Sequence, residues 1–221
     1  MARVKICGVN SAEALNAAAE AGADWVGFVF FPGSPRYVTP AAAAALSGRL
    51  QGGPLRVGLF VEAPGVAPEG VAAGRKASGD RAIAEALAEL RLDVLQVYAG
   101  PARIAEIAAK FRVPVWRCAG VASRGDLPDR VAPAAALLVE PRAALDAARP
   151  GGLGQALDWS LLRGWAPDYD WVLAGGLTPM NVAAAIAATG ALAVDVSSGV
   201  ESAPGVKSAA EIRKFVKAAR G

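Results

Sequence analysis

Residues 171–176 read Trp171-Val172-Leu173-Ala174-Gly175-Gly176, and residues 193–199 read Ala193-Val194-Asp195-Val196-Ser197-Ser198-Gly199. Each is a short apolar run that stops at a cluster of small residues, with an alanine-rich helical stretch between the two. A strand that is continuously apolar rather than alternating suits a parallel sheet covered on both faces. The same unit recurs towards the N-terminus, with strands expected at Val4 to Cys7, Trp25 to Phe30, Leu55 to Val61, Val94 to Val97, Val115 to Cys118 and Ala135 to Val139, before Trp171 to Ala174 and Ala193 to Val196. The intervening segments carry helix-start signals, such as Ser11 as an N-cap and Thr178 before Pro179. Strand and helix are expected to alternate throughout. Eight such units in 221 residues predict a single-domain (β/α)₈ TIM barrel over residues 1–221, because doubly wound sheets usually stop at about five or six strands.

A barrel directs attention to the C-terminal ends of its strands, where enzymes of this fold place their chemistry. Polar or special residues stand there repeatedly: Lys5, Cys7 and Gly8, then Ser34-Pro35-Arg36, Tyr98, Arg117 with Cys118, Glu140, Gly175-Gly176, and Asp195 with Ser197-Ser198-Gly199. One segment breaks the rhythm. Ala63 to Gly79, rich in Gly, Pro and Ala, is long for a βα loop and delays the next helix to about Asp80. It reads either as a lid that brings Arg75 or Lys76 to an anionic substrate or as a surface insertion.

Composition narrows the chemistry. There is no histidine, which excludes Ser-His-Asp and Cys-His mechanisms and leaves acid–base work to Cys, Asp, Glu, Lys or Tyr. The net charge of +3, from 23 basic and 20 acidic residues without a basic run, suits a small anionic substrate and not nucleic acid. Cys7 and Cys118 form no CxxC pair, so neither a disulfide framework nor a metal site is expected. The opening residues are strand-like rather than a signal peptide, and no apolar run reaches membrane-spanning length, so the expectation is a cytoplasmic protein without membrane contact. An alanine-rich helical exterior reads the same in a monomer or a homodimer.

The two glycine-rich turns after the seventh and eighth strands make an anion cradle without a basic side chain, since bare backbone and helix N-termini present N–H groups to a ligand. Gly175, Gly176, Ser197, Ser198 and Gly199 are therefore candidate phosphate-binding residues. Gly151-Gly152-Leu153-Gly154 adds Gly152 and Gly154 from the loop after the sixth strand.

These residues together resemble the phosphoribosylanthranilate isomerase family of tryptophan biosynthesis. Lys5-Ile6-Cys7-Gly8 is similar to its first-strand signature, and Gly27-Phe28-Val29-Phe30 with Ser34-Pro35-Arg36 to its second. Leu173 to Pro179 with Asn181-Val182, and Val194 to Glu201 with Pro204-Gly205-Lys207, resemble the last two. The resemblance runs the length of the barrel except for the inserted loop. It implies an Amadori rearrangement needing no cofactor: the ribose ring of N-(5-phosphoribosyl)anthranilate opens to an imine, loses the C2 proton and ends as an open-chain aminoketone phosphate. Cys7 then corresponds to the general base, with Lys5 beside it to favour thiolate. Arg36 corresponds to the group that meets the anthranilate carboxylate, and Asp195 to an aspartate near the sugar hydroxyls. Asp158-Trp159 also looks family-like, with helix capping and packing as its expected work.

Three positions depart from the family pattern. The expected acid, an aspartate, is Glu140 here, with Asp146 as a fallback. The usual histidine of the fourth strand is Tyr98, which offers a hydrogen bond and a stacking surface. Leu153 replaces a hydroxyl residue. These departures keep open a second reading, a diverged phosphosugar-binding barrel with weak or altered isomerase activity. Relatives acting in histidine biosynthesis place an aspartate where this chain has Cys7.

Overall fold

The computed structural model describes residues 1–49, 52–62, 75–144 and 154–221, the side chains of 75–78 excepted. Eight parallel strands close on themselves in chain order: β1 (Arg3–Cys7), β2 (Trp25–Val29), β3 (Leu55–Val61), β4 (Val94–Tyr98), β5 (Val115–Val121), β6 (Ala136–Pro141), β7 (Trp171–Leu173) and β8 (Ala193–Val196). The closing pair sets Lys5 of β1 level with Asp195 of β8. Because side chains alternate along a strand, Val4 and Ile6 point out to the helices while Lys5 and Cys7 point in. Three apolar clusters result among the described residues, the smallest being Cys7, Val29 and Leu59. Trp25, Val57, Val94, Trp116, Leu138 and Val172 fill the lower barrel, where Trp25 and Trp116 meet edge-on at 5.1 Å and Arg3 lies over Trp25. The largest cluster lies between strands and helices.

The helices are α1 (Ala12–Glu20), α2 (Pro40–Ser47), α3 (Arg75–Glu89), α4 (Pro101–Phe111), α5 (Val182–Thr189) and α6 (Ala209–Arg220). Ser11 caps α1 through the Ala14 N–H, as its position predicted. In α6, Ile212, Phe215, Val216 and Ala219 form the buried stripe that seats it on the barrel.

The strict alternation of strand and helix does not hold. β5 is followed by a 3₁₀ turn, Arg124–Asp126, and β6, among the described residues, by a 3₁₀ turn at Trp159–Leu162. Asp126 Oδ2 accepts the Ala122 and Ser123 N–H groups at 2.9 and 2.8 Å, closing the chain into a turn, and Pro128 and Pro133 then stop any helix from forming. Asp158 caps the second turn at Ser160, the role expected of it. Helix α3 begins at Arg75, earlier than expected, so Arg75 and Lys76 belong to a helix and not to a loop. A half-buried ion cluster of Glu62, Arg103 and Asp80 fastens α3 and α4 to the end of β3. The remainder of the 63–79 segment, 63–74, lies outside the described residues, as do Asp146, Gly152 and Leu153.

Two β strands follow β8, β9 (Glu201–Ala203) and β10 (Val206–Lys207), paired as an antiparallel hairpin.

Candidate active site

The inward residues of the upper barrel are polar, which an interior of this kind tolerates only when they are paired or functional. Lys5 has no exposed surface and donates to Asp195 Oδ1 at 2.8 Å. Cys7 lies one inward position above Lys5, and both approach Gly27 of β2, whose missing Cβ leaves Sγ and Nζ the space they occupy. Gln96 and Tyr98 of β4 and Cys118 of β5 continue the inward face, and Glu140 reaches in from β6. Glu140 lies within β6 and is registered against Gly120 of β5, rather than in the loop after the strand. Arg117 is turned out of the barrel towards Tyr169, so it is not part of the site.

Cys7, Gln96, Tyr98 and Glu140 line an open-mouthed cavity at the C-terminal ends of the strands. Its two ends differ in chemistry. At one end Val29, Phe31, Leu59 and Val61 make an apolar wall beside Arg36; at the other, Gly154, Gly175, Gly176, Ser197 and Ser198 present backbone and hydroxyls. Cys7, Tyr98, Glu140 and Asp195 lie between. Of the residues expected from sequence, Lys5 lies beneath the cavity and Gly199 behind its glycine-rich end.

Backbone geometry explains the glycines. Gly175 and Gly176 have φ of 90° and 62°, left-handed conformations that turn the chain away from β7 and strain any other residue. At Gly199 the requirement is space: a Cβ would meet the Leu177 carbonyl oxygen at 1.9 Å. Thr178 does not cap a helix as expected. Asn181 Oδ1 accepts the Thr178 N–H at 2.7 Å and Asn181 Nδ2 donates to the Gly176 carbonyl at 3.0 Å, so a closed turn precedes α5.

Burial sets the protonation states. It pushes the Glu140 carboxyl up to about 8, with a hydrogen bond from Tyr98 pulling the other way, while Asp195 adds repulsion and Lys5 attraction. Its Oε1 has no hydrogen-bond partner among the described residues. At neutral pH this carboxyl is mostly protonated and can donate. Lys5 lowers the Cys7 thiol, the direction expected of a neighbouring ammonium, but burial raises it by more. Tyr98 and Cys118 are held neutral, each chiefly by burial. Lys5 stays charged: desolvation opposes its charge, but Asp195 and Cys7 outweigh it.

Several polar residues of this face, Gln155 among them, were not singled out from sequence. Gln96 lines the cavity, its Oε1 without a hydrogen-bond partner among the described residues. Glu201 and Lys207 are buried behind Arg36, although both stand in a short hairpin whose sequence reads as surface; their only signal was membership of the last family-like stretch.

A thiol and a protonated carboxyl facing one small cavity can move two protons on a bound molecule, and a cradle of bare backbone at one end suits a phosphorylated one. That defines the class: a phosphate-binding (β/α)₈ isomerase of sugar phosphates. A family profile described as N-(5'phosphoribosyl)anthranilate (PRA) isomerase matches residues 4–218, and the chain belongs to that family. It is 48% identical over 219 residues, 99% of this chain and 98% of the relative, to N-(5'-phosphoribosyl)anthranilate isomerase of Acidiphilium cryptum. Among solved structures it is similar to phosphoribosyl anthranilate isomerase in complex with reduced 1-(o-carboxyphenylamino)-1-deoxyribulose 5-phosphate, with a TM-score of 0.75 at 31% identity, covering 100% of both chains. The same TM-score of 0.75, 31% identity and 100% coverage of both chains hold for monomers of the dimeric enzyme of Thermotoga maritima. The chain is an N-(5'-phosphoribosyl)anthranilate isomerase, an intramolecular oxidoreductase of tryptophan biosynthesis.

Proposed function

We propose that Cys7 and Glu140 are the base and the acid of this reaction, and that the two ends of the cavity hold the two ends of the substrate. The observation that carries this reading is the cavity's polarity: an apolar wall with Arg36 at one end, an uncharged cradle at the other, and the proton-transfer groups between. The anthranilate ring lies on Val29, Phe31, Leu59 and Val61, its carboxylate against Arg36. The phosphate lies on Gly154, Gly175, Gly176, Ser197 and Ser198, with Gly199 supporting the turn.

Protonated Glu140 gives its proton to the ribose ring oxygen, and the nitrogen lone pair opens the ring to an iminium. Cys7, as thiolate, removes the C2 proton, leaving an enolamine that tautomerises to the aminoketone. Lys5 compensates the negative charge that forms at Cys7, and Asp195 holds Lys5 while facing the sugar hydroxyls. Tyr98 orients the Glu140 carboxyl and offers its ring edge to the substrate. A cytoplasmic location fits a family that acts on a diffusible metabolite, and the assembly is a monomer or a homodimer.

The test is loss of anthranilate fluorescence on turnover. Cys7→Ala and Glu140→Ala are each expected to lower kcat by roughly 10²–10⁴-fold, the usual range for a positioned acid or base, while product-analogue binding is retained. A Cys7→Ala protein that turns over within a few-fold of wild type removes Cys7 from the mechanism.

A further inference from the structure

The reaction scheme uses neither Glu201 nor Lys207, yet these are among the most enclosed charges in the protein. The Glu201 side chain is 4% exposed, that of Lys207 0% and that of Arg36 5%. Glu201 Oε1 accepts from Arg36 Nε and from Lys207 Nζ, both at 2.7 Å. Its Oε2 accepts from Arg36 Nη2 at 2.9 Å and from the Gly205 N–H at 3.3 Å. Lys207 Nζ also donates to the Ser197 carbonyl at 2.9 Å and to Ser197 Oγ at 3.3 Å. Ser197 Oγ donates in turn to the Cys7 carbonyl at 3.2 Å. An unbroken line of bonds thus runs from Arg36 to the phosphate end of the cavity and on to the backbone of Cys7.

The surroundings hold that line rigid. Lys207 is registered against Glu201 in the β9–β10 hairpin, and the hairpin turn is pinned by Asn10 Nδ2 donating to the Gly205 carbonyl at 2.9 Å. On the other side Arg36 lies flat on Gly8, where a Cβ would come within 2.5 Å of Arg36 Cδ. A guanidinium gripped along its Nε–Nη2 edge cannot swing about its last torsions, so its Nη1–Nη2 edge keeps a single heading.

We propose that Glu201 and Lys207 are a positioning pair that sets the separation between Arg36 and the Ser197 phosphate loop, so that the site selects ligands with an aryl carboxylate and a phosphate at one fixed spacing. The proposal rests on the reading of Arg36 as the carboxylate clamp. It makes selectivity a property of a hairpin that touches no ligand.

The test is calorimetric binding of two unreactive reduced aminodeoxyribulose phosphates, one built from anthranilate and one from aniline, together with inorganic phosphate. Wild type is expected to prefer the carboxylate-bearing ligand. Glu201→Gln should reduce that preference roughly tenfold or more, since misplacement of about 1 Å can cost about a hundredfold, and should leave the aniline ligand within about threefold of wild type. In turnover the same variant should raise KM with little change in kcat, the sign of lost binding common to ground and transition states. Lys207→Met should weaken both ligands and inorganic phosphate together. Should Glu201→Gln fail to fold, Glu201→Asp, which keeps the charge and draws Arg36 back, should lower the preference at an unchanged melting temperature. Equal weakening of both ligands by the Glu201 variants, or an undiminished preference, overturns the positioning pair. A wild-type protein that shows no preference overturns it too, by removing Arg36 from carboxylate recognition.

Discussion

Replacing Glu140 by Gln preserves the size of the side chain and removes its titration, which isolates what the buried carboxyl contributes. Burial carries this group from its ordinary 4.5 to about 8, which at roughly 1.4 kcal/mol per pH unit disfavours its anion by on the order of 5 kcal/mol. The folded-state value lies above the unfolded one, so this contribution to stability is intact below 4.5 and is lost as pH rises to about 8. Glu140→Gln lacks that loss. In urea titrations the variant should gain on wild type between about pH 5 and about pH 8.5. The rate carries a second signature. Because the Cys7 thiol is raised above its ordinary value, the base titrates above the acid, and the productive form must hold thiolate and carboxylic acid together. For such a pair kcat/KM climbs with pH to the lower of the two values, that of Glu140, then levels. Glu140→Gln is expected to lose roughly 10²–10⁴-fold in turnover and to lose the break near pH 8. A break that survives in the Gln variant, with an unaltered pH dependence of stability, would refute this account of the acid.

Tyr98→Phe keeps the ring and removes the hydroxyl that lowers the Glu140 pKa, so the same break should move upward in a pH–rate profile; a downward move contradicts the contact. Lys5→Met leaves the Asp195 carboxylate alone at the barrel centre, and should cost about 3–5 kcal/mol by chemical denaturation. Much of that should return when Asp195→Asn is added. Gly199→Ala places a Cβ 1.9 Å from the Leu177 carbonyl oxygen, and the forced shift should weaken inorganic phosphate binding about tenfold or more by calorimetry.

The strands were legible because each is buried on both faces and therefore continuously apolar, and the structure moves their expected ends by few residues. The helices were less so. Between β5 and β6 the alanines suggest helix, but Asp126 spends its carboxylate on the backbone of a turn and the prolines forbid what propensity favours. At Thr178 a cap-like pair was read where the neighbouring Asn181 does the local bonding. The cavity residues were found because their types were out of place at the ends of apolar strands, whereas Glu201 and Lys207 look ordinary in a Pro-Gly hairpin. What makes them unusual is a partner at position 36, and an interaction across 165 residues leaves no local pattern. At Cys7 the lysine two residues away is visible in sequence and acts in the expected direction, but the depth of burial that outweighs it is not visible there.

The pairing of Lys5 with Asp195 spans 190 positions of the chain, and β8 is the strand that completes the ring. During synthesis the first strand leaves the ribosome long before its partner exists, so an ammonium destined for the dry centre must stay hydrated until almost the whole polypeptide has been made. Nascent chains that end before Asp195 hold Cys7, Glu140 and Arg36, yet have neither the last wall of the ring nor the Ser197 loop. Competence for turnover thus arrives with the final few dozen residues, which makes this enzyme's activity a reporter of completed translation and ring closure rather than of partial folding.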